Sequence, residues 1–194
     1  TMDLEKPRKP IASIYKLGYN KINEIFNNVS VTNGISFSVD NSTMFFSDTP
    51  TKKIYMYDIP DNIDLMDSIN ILNKDDTNLS QSIQYELLGE ENSFRNPDGS
   101  TIDYLDNYYS CLYGGFGIDV FSTKSMNGEK KFSYNNTIET FKRYNTCCCF
   151  GGQNMDKLFV TSAYNNSSDN GSSIILDTNY TGVKENPINL NYSN

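Results

Sequence analysis

The chain has 194 residues, enough for one domain with a sizeable core, and its 24 Asp and Glu against 16 Lys and Arg give a formal net charge of -8. An acidic surface with no basic run argues against nucleic acid and against a membrane surface as partners. Histidine is absent, which removes Ser-His-Asp and Cys-His catalysis and every His-based zinc site, and leaves oxygen ligands for any metal.

Residues 1–10 are polar, hold Pro7 and Pro10, and read as a loop. Residues 11–16 (IASIYK) alternate and read as a strand; a turn near Gly18-Tyr19-Asn20 leads to a second strand at residues 22–26. A phrase then begins that recurs three times: an alternating strand, a polar turn, an apolar-aromatic strand and further strands. The first copy, residues 33–59, has a half-buried strand around Ile35 and Phe37, a turn at Val39-Asp40-Asn41-Ser42, and strands at 44–47 and 54–57. Residues 69–72 read as its outer strand, 74–79 as a surface loop, and 82–87 as the start of the next crossing. The second copy, residues 98–121, has strands at 101–102, 108–112 and 118–121, with outer strands at Phe132 and at 138–141. The third, from Thr146, has strands at 147–150, 158–161 and 173–176, before a polar tail from Tyr180. No window sustains the 3.6-residue period of a helix.

Small antiparallel sheets repeated every few tens of residues are the signature of a β-propeller. The expected fold is therefore all-β, and the count is three full blades and part of a fourth, fewer than most closed propellers hold. No apolar run spans a bilayer and the Thr1-Met2 start lacks a leader pattern, so a cytoplasmic location is expected. The cysteines are Cys111, Cys147, Cys148 and Cys149; without CxxC spacing they read as buried small side chains, with Cys147 and Cys149 facing one way along a strand and Cys148 the other.

Whole motifs then carry a resemblance. Residues 31–38 (VTNGISFS) look like "SNGLxWS", and residues 44–58 like "YYxDSxxxxVxxYDYD". Residues 97–103 (PDGSTID) look like "PDGxxID", Tyr113-Gly114-Gly115 like "YxGG", and residues 146–163 like "TSCxFGGxxxxxLYVTSA". Thr1-Met2 is similar to a "GTM" segment and Gly182-Val183-Lys184 to "GVKG". In this order they resemble the senescence marker protein/gluconolactonase/luciferin-regenerating enzyme family, which includes regucalcin.

The resemblance implies a six-bladed propeller of which residues 1–194 form a single incomplete domain, the later blades. It implies a sugar lactone as substrate and one divalent cation on the axis: calcium first, with zinc, magnesium or manganese as alternatives. The family's ligand Asn falls on Asn33, its Asp on Asp103, which would also act as base, and a substrate-contacting Glu on Glu5. The family's ligand Glu and its substrate Arg and Asn belong to sequence before the "GTM" segment. Two departures stand inside the motifs: Asp106 replaces a turn Gly, and Tyr109 replaces a Trp. Read from the residues alone, Asn33-Gly34 is a turn pair, Asp98 a turn residue, Asp48 a structural hydrogen-bonder and Glu5 an exposed loop acid. The functional readings are a cation-dependent lactone hydrolase, an inactive or weakly cation-binding remnant, and a module that self-associates through exposed blade edges.

Overall fold

The computed structural model describes residues 5–17, 22–59, 72–73, 82–84, 94–126, 129–164 and 171–184. The expectations for Thr1-Met2, for the turn at 18–20 and for the loop at 74–79 lie outside these residues. Four sheets follow one another. The first holds β1 (Ala12–Leu17), β2 (Ile22–Val29) and the short β6 (Leu72–Asn73), which lies parallel to β2. The second holds β3 (Thr32–Phe37), β4 (Thr43–Asp48), β5 (Lys53–Asp58) and β7 (Ser82–Gln84). The third holds β8 (Asn96–Ile102), β9 (Asn107–Tyr113), β10 (Gly117–Met126) and β11 (Glu129–Glu139). The fourth holds β12 (Asn145–Gly151), β13 (Lys157–Ser162) and β14 (Ser172–Asp177).

The all-β expectation holds, and each repeated phrase is one antiparallel sheet in up-and-down order. Three details differ. The outer strand of the first copy is β7, paired with β5, whereas Leu72–Asn73 pairs with β2 of the preceding sheet. The outer strands expected at Phe132 and at 138–141 are one continuous β11, Glu129–Glu139, whose register with β10 shifts at a bulge opposite Val120/Phe121. Of the cysteines, only Cys111 and Cys148 are buried; Cys147 and Cys149 are exposed, because β12 packs on the third sheet through one face only.

The sheets stack face to face, and each junction is an apolar layer. Phe26, Val29, Phe46, Tyr55 and Tyr57 fill the first junction, with the Phe26 and Phe46 rings 5.0 Å apart. Phe45, Ile54, Met56, Tyr108 and Phe121 fill the second. Tyr109, Cys111, Cys148, Leu158 and Val160 fill the third. This explains why β4 and β9 read as unbroken apolar runs rather than alternating ones. Phe45 and Phe46 of β4, and Tyr108 and Tyr109 of β9, point to opposite junctions, so both faces of these strands are covered. Each such fully buried ring contributes about 2–3 kcal/mol. Among the described residues the four sheets do not close into a ring. The innermost strands β3, β8 and β12 lie side by side: Ser36 Oγ meets Ser100 Oγ at 2.7 Å, and a Cβ on Gly99 would lie 2.8 Å from Cys147 Cα.

Candidate metal and substrate centre

Two bulges build the site. The β3–β4 register shifts between Asn33 and Ser36, and the β8–β9 register shifts between Pro97 and Ser100. Each bulge frees a residue of an innermost strand from strict alternation and re-aims it. Gly34 sits in the first with φ 58°, and a Cβ there would lie 2.6 Å from Tyr108 Oη and 2.9 Å from the Asp98 carbonyl oxygen. Glycine therefore serves two purposes: it takes the left-handed backbone and it lets β3 touch β8. Tyr108 Oη donates to the Gly34 carbonyl at 3.0 Å and fixes the approach.

The result is a cavity of about 480 Å³ lined by Arg8, Thr32, Asn33, Thr49, Asp98 and Tyr113, with Val31 and Pro50. Its size suits a monosaccharide-scale ligand. Asn33 Nδ2 donates to Thr49 Oγ1 at 2.8 Å, and Thr49 Oγ1 donates to the Pro97 carbonyl at 2.8 Å, so one hydroxyl ties the two bulges together. Burial lifts the Asp98 carboxyl to about 6, against a hydrogen bond from the Gly99 backbone that pulls the other way. Behind them, fully buried Asp48 accepts the Ser30 and Val31 N–H groups at 3.0 and 2.9 Å, the structural role expected of it.

Asp103 is placed differently. It is 1% exposed. Its Oδ1 accepts the N–H groups of Leu105 and Asn107 at 2.8 and 2.9 Å; its Oδ2 accepts Asn107 Nδ2 at 2.7 Å and Tyr109 Oη at 2.9 Å. All four bonds lie within its own turn and the strand beyond. Asp103 is not among the residues lining the Asn33 cavity. It stands at the far end of β8 from Asp98, roughly 15 Å along an extended strand. The cavity thus brings Asn33 together with Asp98 and not with Asp103. Glu5 is exposed and does not line the cavity; in the same segment, half-buried Arg8 does.

The two departures in the motif are resolved by the same turn. Asp106 adopts φ 59°, a left-handed conformation that Asp tolerates better than most residues, and its Oδ1 accepts Val39 N–H at 2.7 Å. Tyr109 is fully buried and supplies the hydroxyl that holds Asp103.

Residues 1–164 match the sequence profile of the SMP-30/Gluconolactonase/LRE-like region. The chain belongs to this family. A Bacillus subtilis relative named as a sugar lactone lactonase (YvrE) is 30% identical over 169 residues, covering 84% of this chain and 49% of that protein. The fold matches a luciferin-regenerating enzyme with a TM-score of 0.71 at 21% identity, covering 94% of this chain and 58% of that one. It matches regucalcin from Agrobacterium tumefaciens, titled a calcium-binding protein, with a TM-score of 0.68 at 20% identity, covering 91% and 56%. The chain spans about half the length of the curated relatives it matches.

For a member of the SMP-30/Gluconolactonase/LRE-like family the question is whether the cavity fits a divalent cation. Among the described residues no group of three or more His, Cys, Asp or Glu side chains is placed to hold one. The lining side chains able to ligate a cation nevertheless offer oxygens, from the Asp98 carboxylate, the Asn33 amide and the Thr32, Thr49 and Tyr113 hydroxyls, with the Arg8 guanidinium beside them. Thr32 Oγ1 is buried and has no hydrogen-bond partner among the described residues. One carboxylate with neutral oxygens suits a hard cation, so the donor set fits in kind, with few protein ligands. Asn33 was legible as a candidate from its motif. Asp98, in the Pro-Asp-Gly triplet that forms the bulge, was read from the sequence as a turn residue, and Thr49 and Arg8 were not singled out.

Proposed function

We propose that the chain carries part of the centre of a divalent-cation-dependent sugar lactone hydrolase, with Asn33 and Asp98 as cation ligands and Asp98 as general base. The observation that supports this most is the convergence of Asn33 and Asp98, from two sheets, on one cavity of monosaccharide size. Family membership and relatives named as lactonases support the reaction class. Calcium is the first expectation for the ion, given an all-oxygen donor set. When bound, such a cation supplies Lewis-acid polarisation of the lactone carbonyl and acidifies water.

The chain's own residues do the rest. Asp98, lifted toward neutral pH by burial, takes a proton from the attacking water and returns it to the ring oxygen as the ester C–O bond breaks. The product is the open-chain hydroxy acid, and no amine leaving group has to be protonated. Arg8 donates hydrogen bonds to substrate oxygens from the N-terminal segment, and the Tyr113 ring gives the sugar an apolar wall, itself braced by Tyr144 at 5.0 Å between ring centroids.

The test is hydrolysis of gluconolactone by this chain with calcium, magnesium, manganese or zinc, for wild type, Asp98→Asn and Asp103→Asn. The expected result is cation-dependent turnover that Asp98→Asn lowers at least 100-fold and that folded Asp103→Asn retains. Turnover unaffected by Asp98→Asn, or by a chelator, refutes the assignment.

A further inference from the structure

We infer that Thr49 is the positioning residue of this centre: its hydroxyl sets which end of the Asn33 amide faces the cavity. The inference rests on the reading of Asn33 as a ligand and extends it to a neighbour in the cavity wall that acts through Asn33. The argument is one of proton count. A threonine hydroxyl has a single proton to donate. Thr49 Oγ1 lies 2.8 Å from the Pro97 carbonyl oxygen, which can only accept, so the proton goes there. Towards Asn33, also at 2.8 Å, Thr49 is left with lone pairs alone. The Asn33 atom facing it must then be the donor nitrogen, and the amide oxygen is turned to the other side.

An asparagine amide is otherwise close to symmetric in shape, and a 180° rotation would replace the oxygen with an NH2 group that repels a cation. Thr49 removes that alternative without contributing charge. It is well placed for the task. It opens the single-turn 3-10 helix Thr49–Thr51, its own N–H donates to the Val31 carbonyl at 3.2 Å, and the neighbouring Asp48 carboxylate pins Ser30 and Val31. The side chain that orients Asn33 is thereby fixed to the chain that enters β3. Pro97 sits at the start of the β8 bulge, and its carbonyl accepts from Thr49 there.

The experiment compares wild type, Thr49→Val and Thr49→Ser by calcium titration calorimetry, with thermal melts in chelator as the control for folding. Val keeps the shape and removes the hydroxyl; Ser restores it. The expected result is a dissociation constant at least tenfold higher for Thr49→Val and within threefold of wild type for Thr49→Ser, with melting points in chelator within a few degrees of one another. Equal affinities for wild type and Thr49→Val overturn the inference. If wild type itself takes up no cation, the ligand reading of Asn33 fails, and the orientation is still read in the cation-free protein by NMR. One distinct, exchange-protected Asn33 side-chain NH2 pair in wild type and Thr49→Ser, lost in Thr49→Val, upholds it; an unchanged pair in Thr49→Val overturns it.

Discussion

Two aspartates in one short motif have opposite fates. Asp98 lines a cavity, and its partial burial raises the carboxyl from 3.8 to about 6. A group whose folded pKa is raised favours the fold below its unfolded value and loses that contribution as pH climbs through the folded value. Wild type therefore carries the cost of a half-buried charge above pH 6. Asp98→Asn is expected to melt higher than wild type in chelator at pH 8, by about 1–2 kcal/mol after allowance for solvent screening, with the gap closing below pH 5. The same substitution is expected to abolish cation uptake, which calorimetry reads. Asp103 predicts the reverse. Asp103→Ala leaves two backbone N–H groups, an amide and a tyrosine hydroxyl without their acceptor, and is expected to cost about 3 kcal/mol in denaturant unfolding while calcium affinity stays near wild type.

At the scale of single elements, the sheets were largely legible. The continuous run at 108–112 follows from burial on both faces of β9, whereas the alternation around Ile35 and Phe37 runs the other way: Ser36 and Ser38 are buried and the two apolar side chains are exposed. What alternation could not supply is a bulge. A motif match fixes where residues fall along β8, but the shift between Pro97 and Ser100 decides which of them turns toward the cavity that Asn33 lines. The exposed cysteines were missed for a related reason. The expectation of a fully covered strand held for β4 and β9, which lie between two junctions, and failed for β12, which has one. Two tests belong here. Native maleimide labelling followed by mass spectrometry is expected to modify Cys147 and Cys149 and to spare Cys111 and Cys148, slowly at neutral pH because partial burial raises the Cys147 thiol. Gly34→Ala is expected to destabilise the fold by about 2 kcal/mol or more, since its backbone is left-handed and its Cβ would press on Tyr108 Oη and the Asp98 carbonyl.

For the whole molecule, the family and the all-β architecture were readable because motifs preserve the order of turns and apolar strands. The arrangement of the centre was not, because it depends on how two sheets meet. Asn33 belongs to the second sheet and Asp98 to the third, with the Phe45–Tyr108 layer beneath them, rings 5.4 Å apart. An ion held by both should bind the assembled pair of sheets and not the unfolded chain. Saturating calcium, at about 100 times its dissociation constant, is expected to add about 2.7 kcal/mol to unfolding, seen as a rise in melting temperature that chelator reverses and that Asp98→Asn does not show. If Asn33 and Asp98 hold an ion across this seam, the ion would act as a rivet: it would escape when heat first parts those two layers, and the metal concentration of the surroundings would then govern how long the protein survives a temperature spike.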